Sequence, residues 1–241
     1  MYRNKNITIY IPSRNESKNL ASIKSRIPSF VDEVLVISNK STDNTCEIAK
    51  SLGFKVYEDN RVKNGIGYGY AHMTGIEKST GDILISIDGD GQHPVEDIKE
   101  IIDFLIDQDI DFISCNRFPP KSDSYLGFKQ WFGTKVLNLE TNILYKTNFK
   151  DILSGMFVFK NEISPFLNLT EGDWNLSPQI KINAATNSKI KFAEFNIFQY
   201  CRMSGKTHQS HFKTGIRHVK WIFLNKIKTS LKFNPKLNLK Q

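Results

Sequence analysis

The chain has 241 residues, a length that one α/β domain with a substantial core can occupy, and a formal net charge of +8 from 33 basic and 25 acidic residues. Its cysteines, Cys46, Cys115 and Cys201, are far apart and form no CxxC pair, which excludes a disulfide framework or a cysteine-based zinc knot and predicts a reducing, cytoplasmic setting. The opening MYRNKNITIYIPS has too short an apolar run for a signal-peptide core, and no stretch approaches the roughly 18 apolar residues of a membrane span.

In chain order, ITIYI (7–11) reads as a first strand, followed by helical spacing in ESKNLASIKSRI (16–27). EVLVIS (33–38) predicts a second strand, and STDNTCEIAKSLG (41–53) a helix that starts near Thr42 or Asp43 and closes on Gly53. FKVYE (54–58) is the third strand candidate, followed by a helix over 68–81 with Gly81 at its C-cap. DILISID (82–88), a helix over 94–108 opened by Pro94, and DFISC (111–115) complete the regular part. Strands alternating with helices predict parallel strands joined by crossovers, a doubly wound α/β sheet with helices on both faces. Beyond residue 118 the pattern loosens into a long helical stretch (129–146), DILSGMFVFK (151–160) and a helix over 175–187, with no repeat or linker to mark a second domain.

Charge is uneven. The first 194 residues hold 23 cations against 25 acids, and after Glu194 there are ten cations and no acid. Such a tail predicts an anionic partner: a membrane surface, a phosphorylated substrate or nucleic acid. HFKTGIRHVKWIFLNKIK places Phe212, Ile216, Val219, Ile222 and Phe223 at near-helical spacing among cations, which suits an anionic membrane surface and equally suits packing on the domain. The tail has neither the glycine-aromatic motif of an RNA-recognition sheet nor zinc-finger spacing, so no nucleic acid is expected.

Ligands of such sheets bind beyond the carboxyl ends of the strands, which singles out PSRNES, SNKSTDNT and DGDGQHP. On an extended segment residues two apart face the same way, so Asp88, Asp90 and Gln92 point together while Gly89 and Gly91 admit a ligand closely. Three oxygen donors on one face suit Mg2+ or Mn2+ with positions left for phosphate oxygens. A calcium loop of the EF-hand type would need glycine at His93 and glutamate at Lys99. A solvated Asp-Gly turn is the plain alternative. GIGYGY (65–70) follows the third strand rather than the first and lacks the final glycine of a dinucleotide fingerprint, so it reads as a lead-in to a helix. His72, His211 and His218 have no metal-ligand spacing and read as surface or core residues.

ITIYIPSRNE, ISNKSTDNTCEIAK, GYAHMTGIEKSTGDILISIDGDGQHPVEDI and DILSGMFVFK, in that order, resemble family 2 glycosyltransferases, and among them the dolichol- or polyprenyl-phosphate mannosyltransferase-like branch. The resemblance covers about residues 5 to 208 and implies a GT-A fold over 1–208, with a nucleotide-sugar-binding half at 1–117, an acceptor-side half at 118–208, and a basic amphipathic tail at 209–241. It implies a nucleotide-sugar donor, a divalent metal on Asp88, Asp90 and Gln92, inversion at the sugar carbon, and a polyprenyl-phosphate or saccharide acceptor. By the same likeness Pro12, Asn15 and Glu16 meet the nucleoside, Arg117 and Arg202 neutralise phosphate, and Lys129, Asp151 and Ser154 sit on the acceptor side. Relatives carry two aspartates where this chain has Ser38 and Asn39, an arginine at Phe157, another near Lys129, and a lysine at His208, while Lys206 is a further cation of the RMSGKT segment. Asp90 is expected to be catalytic as the metal's main ligand; Asp173, in TEGDWNLSP, is expected either to be a catalytic base for a hydroxyl acceptor or to cap the following helix. The enzyme is expected in the cytoplasm, either free or peripheral at the cytoplasmic face of a membrane. The alternative is a degenerate, non-catalytic module that binds a membrane or another anionic partner through its tail.

Overall fold

Every residue of β1 (Ile7–Ser13) is buried, and a strand with no solvent face needs cover on both sides. The computed structural model describes residues 1–121, 124, 127–204 and 211–232; Lys206 and His208 lie outside the described residues. β1 pairs in parallel with β2 (Glu33–Ser38) and β4 (Ile83–Ser86), and β2 in turn pairs in parallel with β3 (Lys55–Glu58). The sheet continues through β6 (Phe157–Lys160) and β5 (Phe112–Asn116) to β7 (Phe192–Asn196), in the order β3-β2-β1-β4-β6-β5-β7.

Alternation along the strands divides the core. Ile7, Ile9 and Ile11, with Val36, Ile83, Ile85, Ile113 and Val158, face α1 (Leu20–Arg26), α2 (Thr45–Ser51) and α4 (Ile98–Asp107). Tyr10, Leu35, Ile37, Leu84, Phe112, Phe157 and Phe159 face the opposite layer, with α3 (Tyr68–Lys78) and α6 (Leu176–Thr186). Each fully buried aliphatic side chain contributes about 1.5–3 kcal/mol relative to exposure. A third cluster joins Leu137 of α5 (Phe128–Tyr145), Phe149, Ile152, Ile182 and Ile222 of α7 (His211–Lys232).

The doubly wound GT-A sheet is therefore present, with specific departures from the expected pattern. β6 runs antiparallel to both β4 and β5; its Phe157 and Phe159 stack on Phe112 while Val158 serves the other face. β7, parallel to β5, has every residue half-buried and so lacks the apolar run that marks the central strands. Gly53 has the left-handed φ of +78° that closes α2, but Gly81 is no cap: it abuts β1, where an added Cβ would lie 2.6 Å from Thr8 Oγ1. Ile222 turns inward and is fully buried, whereas Phe212, Ile216, Val219 and Phe223 remain exposed; packing claims one face of the tail helix and leaves the other. Among the described residues no helix is long and apolar enough to cross a membrane.

Candidate active site

The loops that follow β1, β2 and β4 open into a cleft of about 870 Å3, closed on its far side by α5, the start of α6 and the first turns of α7. The DGDGQ loop forms its floor. The backbone N–H of Asp88 donates to His93 Nδ1 at 2.9 Å, which places the imidazole proton on Nε2, 3.8 Å from Asp88 Oδ2. Burial lowers the His93 pKa to about 4, so the ring is neutral. Burial also raises Asp88 to about 6 against the pull of Arg202 and Arg117, and its Oδ1 is buried without a partner. Asp90 is pushed up by burial and then by the charge of Asp88; its Oδ1 accepts from the Gln92 backbone at 3.0 Å and its Oδ2 from Arg202 Nη2 at 2.9 Å. Gln92 Nε2 donates to the Tyr200 carbonyl at 3.2 Å, which orients the amide with Oε1 as its acceptor.

A half-buried Asp88 with an unpartnered oxygen, whose charge raises the buried Asp90 beside it, is what a hard cation relieves. Among the described residues no three His, Cys, Asp or Glu side chains gather as a metal cluster, so a cation here would have to rest on two carboxylates and the Gln92 amide, with phosphate oxygens or water completing its shell. The donor set fits Mg2+ or Mn2+. Residues 200–203 cross the loop: Tyr200 N donates to Gln92 O at 2.9 Å and Met203 N to Asp90 O at 3.4 Å. From below, Arg26 holds the loop through the carbonyls of Gly91 and His93 at 3.1 and 3.2 Å.

Arg202 also reaches Glu16 Oε1 at 3.3 Å. Burial raises Glu16 to about 7 despite Arg202 and the 2.6 Å bond from Asn19 Nδ2. Pro12 and Glu16 line the cleft; Asn15 does not. With a left-handed φ of +58°, Asn15 turns its Oδ1 to the Thr42 N–H at 2.7 Å and braces the neighbouring loop. Asn39 lines the cleft. Its Nδ2 donates to the carbonyls of Asp59 and, at 3.0 Å, Arg61, which fixes the amide and leaves Oδ1 buried without a partner. Gly67, in the glycine-rich lead-in to α3, lies flat on this amide, where a Cβ would fall 2.1 Å from Asn39 Nδ2.

On the other side Arg117 makes a two-pronged pair with the fully buried Asp151, Nε to Oδ2 at 2.6 Å and Nη2 to Oδ1 at 2.9 Å. Asp151 Oδ1 also accepts from the Ser154 N–H at 3.1 Å, and the buried Lys181 donates to the carbonyls of Asp151 and Ser154 at 3.0 and 2.7 Å. Burial lowers Lys181 to about 8. Asp151 and Ser154 thus lie behind the wall, shaping the turn that delivers Gly155 against Asp88, where a Cβ would come within 2.6 Å of Oδ2. Lys129, exposed in the first turn of α5, lines the cleft. Asp173 is fully buried and outside the lining; its oxygens accept from Asn175 N–H and Asn64 Nδ2, each at 2.9 Å. Its neighbour Trp174 does face the cleft, with Nε1 buried and unpartnered. His218, read from sequence as a surface or core residue, is buried against Asn175 Oδ1 at 2.8 Å and also lines the cleft. No spacing marks Arg26, Lys181, Trp174 or His218 as site residues, since each reaches the site from a distant helix or loop.

The model of the family described as glycosyl transferase family 2 matches residues 8–165. The chain is 23% identical over 226 residues to the low-salt glycan biosynthesis hexosyltransferase Agl6 of Haloferax volcanii, covering 91% of this chain and 53% of that one. It is 26% identical over 228 residues to the dolichol-phosphate mannosyltransferase of Pyrococcus furiosus, covering 89% and 64%. The chain therefore spans less than two thirds of the length of these relatives. In fold it is similar to glucosyl-3-phosphoglycerate synthase from Mycobacterium tuberculosis, crystallised with Mn2+ and UDP-glucose, with a TM-score of 0.70, 19% identity, and coverage of 92% of this chain and 79% of that one.

Proposed function

This chain belongs to glycosyl transferase family 2, and from that premise we propose that it is a metal-dependent hexosyltransferase that moves a sugar with inversion from a nucleotide donor to a polyprenyl phosphate. The observation that carries this reading is the set of buried polar atoms without partners that line one cleft, Asn39 Oδ1, Asp88 Oδ1 and Trp174 Nε1. Buried polar groups are normally satisfied, so a cleft that gathers unsatisfied ones is built around a polar ligand and a cation. Such a lining disfavours the degenerate, non-catalytic alternative.

Asn39 Oδ1 is an acceptor because its Nδ2 is committed to two carbonyls. It can accept from the ring N–H of uracil or guanine and equally from the exocyclic amine of adenine or cytosine, so it sets the direction of the hydrogen bond and not the base. Asp88, Asp90 and Gln92 would hold the cation, which when bound supplies charge neutralisation for the departing diphosphate. Arg202 keeps a fixed positive charge beside the same carboxylates, preorganised for the charge that develops there.

The acceptor follows from where the acids are. Among the described residues the acidic side chains that line the cleft are Glu16, Asp88 and Asp90, all on the donor side. A sugar hydroxyl needs a base within hydrogen-bond reach, whereas a phosphate, with its second pKa of about 6, is already a nucleophilic oxyanion near neutral pH. For a saccharide acceptor Asp173 would have to be the base, yet both its oxygens are engaged behind the lining; we assign it to capping the turn before α6.

Thermal unfolding with nucleoside diphosphates tests the donor site. With Mn2+ present, at least one of UDP, GDP, ADP and CDP at a hundredfold excess over Kd should raise the melting temperature by about 5–10 °C. No shift with any of the four would contradict the assignment.

A further inference from the structure

Beyond the DGDGQ loop the cleft wall turns aromatic. A Cβ on Gly155 would lie 2.6 Å from Asp88 Oδ2 and 3.0 Å from Tyr68 Oη, which places the phenol beside that carboxylate. The Tyr68 ring packs on the Trp174 indole with centroids 4.5 Å apart and an interplanar angle of 37°, and both residues line the cleft. Trp174 is half-buried, and its Nε1 is buried without a partner among the described residues. An indole N–H only donates. Buried donors are ordinarily satisfied, so this one is satisfied when a ligand oxygen enters the cleft beside it.

The next residue in the chain, Asn175, sets a second group. Its Oδ1 lies 2.8 Å from Nδ1 of His218 on α7. An amide oxygen only accepts, so the imidazole proton sits on Nδ1 and Nε2 keeps its lone pair. His218 is 2% exposed and lines the same cleft. Burial lowers its pKa to about 4, against the pull of Asp173 and with help from Arg217, which keeps the ring neutral. A neutral nitrogen lone pair repels a phosphate oxyanion and accepts from a hydroxyl. The wall therefore carries one donor and one acceptor beside aromatic surface, the combination of a few placed polar groups and apolar lining that orients a small polar ligand such as a sugar ring.

We propose that Trp174 Nε1 and His218 Nε2 read the hydroxyls of the transferred hexose, the indole as donor and the imidazole as acceptor, so that the tail helix supplies part of the donor's sugar pocket. This rests on the nucleotide-sugar reading above and adds the residues that choose the sugar. Position supports it: a hexose whose diphosphate sits at Asp88 and Asp90 meets the Tyr68 and Trp174 wall next, because Tyr68 stands beside Asp88 and packs on Trp174. A site built to bond a hydroxyl discriminates strongly against a sugar that lacks it there.

Calorimetric titration of the full chain, with Mn2+ and no acceptor, compares UDP, GDP, ADP and CDP with their glucose, galactose and mannose conjugates. For the conjugate that the wild type binds most tightly, Trp174→Phe, which keeps an aromatic ring and loses the N–H, and His218→Leu, which loses the acceptor, should each raise Kd by about tenfold, while Kd for the free diphosphate stays within about twofold of wild type. Retained binding of the free diphosphate reports a folded site, and Trp174→Phe decides the matter alone if His218→Leu does not fold. Wild-type affinity of a folded variant for the conjugate would overturn the proposal. Equal losses for conjugate and free diphosphate would do so too, since they would mark a structural role. Binding of none of these nucleotides by the wild type would instead remove the donor reading, and this proposal with it.

Discussion

Arg202 donates to Asp90 Oδ2 at 2.9 Å from a segment 112 residues further along the chain. The same guanidinium reaches Glu16, so one cation ties the loops after β1 and β4 to the segment beyond β7. If this charge serves the departing diphosphate, Arg202→Ala should lower kcat by about 10²- to 10³-fold with little change in melting temperature. Arg202→Lys should recover part of the loss, because a point charge replaces a fork. Unchanged turnover in Arg202→Ala would remove this residue from the chemistry.

Asn39→Asp installs the residue that relatives carry, and it should harm this protein. The carboxylate oxygen replacing Nδ2 would face the carbonyls of Asp59 and Arg61, leaving both without their donor at about 1–3 kcal/mol per unsatisfied group. Chemical denaturation should show that loss. A variant as stable as the wild type would mean the amide is not held as described.

Asp59 ties this base pocket to pH. Burial pushes its pKa up, but Arg61, with Nη2 at 2.7 Å, and Thr74 Oγ1, at 2.6 Å, outweigh it and hold it at about 2. Its ordinary value is 3.8, so the unfolded chain takes up the proton first as pH falls. The stabilisation is therefore complete above about pH 4 and lost as pH drops toward 2. Melting temperature across that window should fall less steeply in Asp59→Asn than in the wild type. Parallel profiles would assign the acid sensitivity to other groups.

Asp173→Asn keeps an acceptor for the Asn175 N–H and removes basicity. With a phosphate acceptor, turnover should stay within about threefold of wild type, far short of what a general base contributes. A loss of roughly a hundredfold with donor affinity intact would identify Asp173 as the base and point to a saccharide hydroxyl.

The donor half was legible because its information is local. β1 to β5 are short apolar runs bounded by turn residues, whereas DGDGQ, read from sequence as an extended segment, turns at Gly89 and Asp90 with Gly91 at a left-handed φ of +77°. Less local features were not. β6 runs antiparallel to its neighbours, and no periodicity within FVFK announces a strand's direction. Lys181 reads as a surface cation in IKINAAT, yet it is buried beneath two carbonyls of the Asp151 turn. Phe212, Ile216, Val219, Ile222 and Phe223 form one apolar set by spacing, and only contact with α5 tells Ile222, which is fully buried, from its exposed neighbours.

The central claim is that sugar transfer runs through a cation held by Asp88, Asp90 and Gln92. The most direct measurement is release of nucleoside diphosphate from a UDP- or GDP-hexose in the presence of polyprenyl phosphate, for the wild type and Asp90→Ala, with Mn2+ or with excess chelator. The account predicts release by the wild type with Mn2+, and a loss of about 10²-fold or more on chelation or in Asp90→Ala. Undiminished release in excess chelator, or by Asp90→Ala, would contradict it.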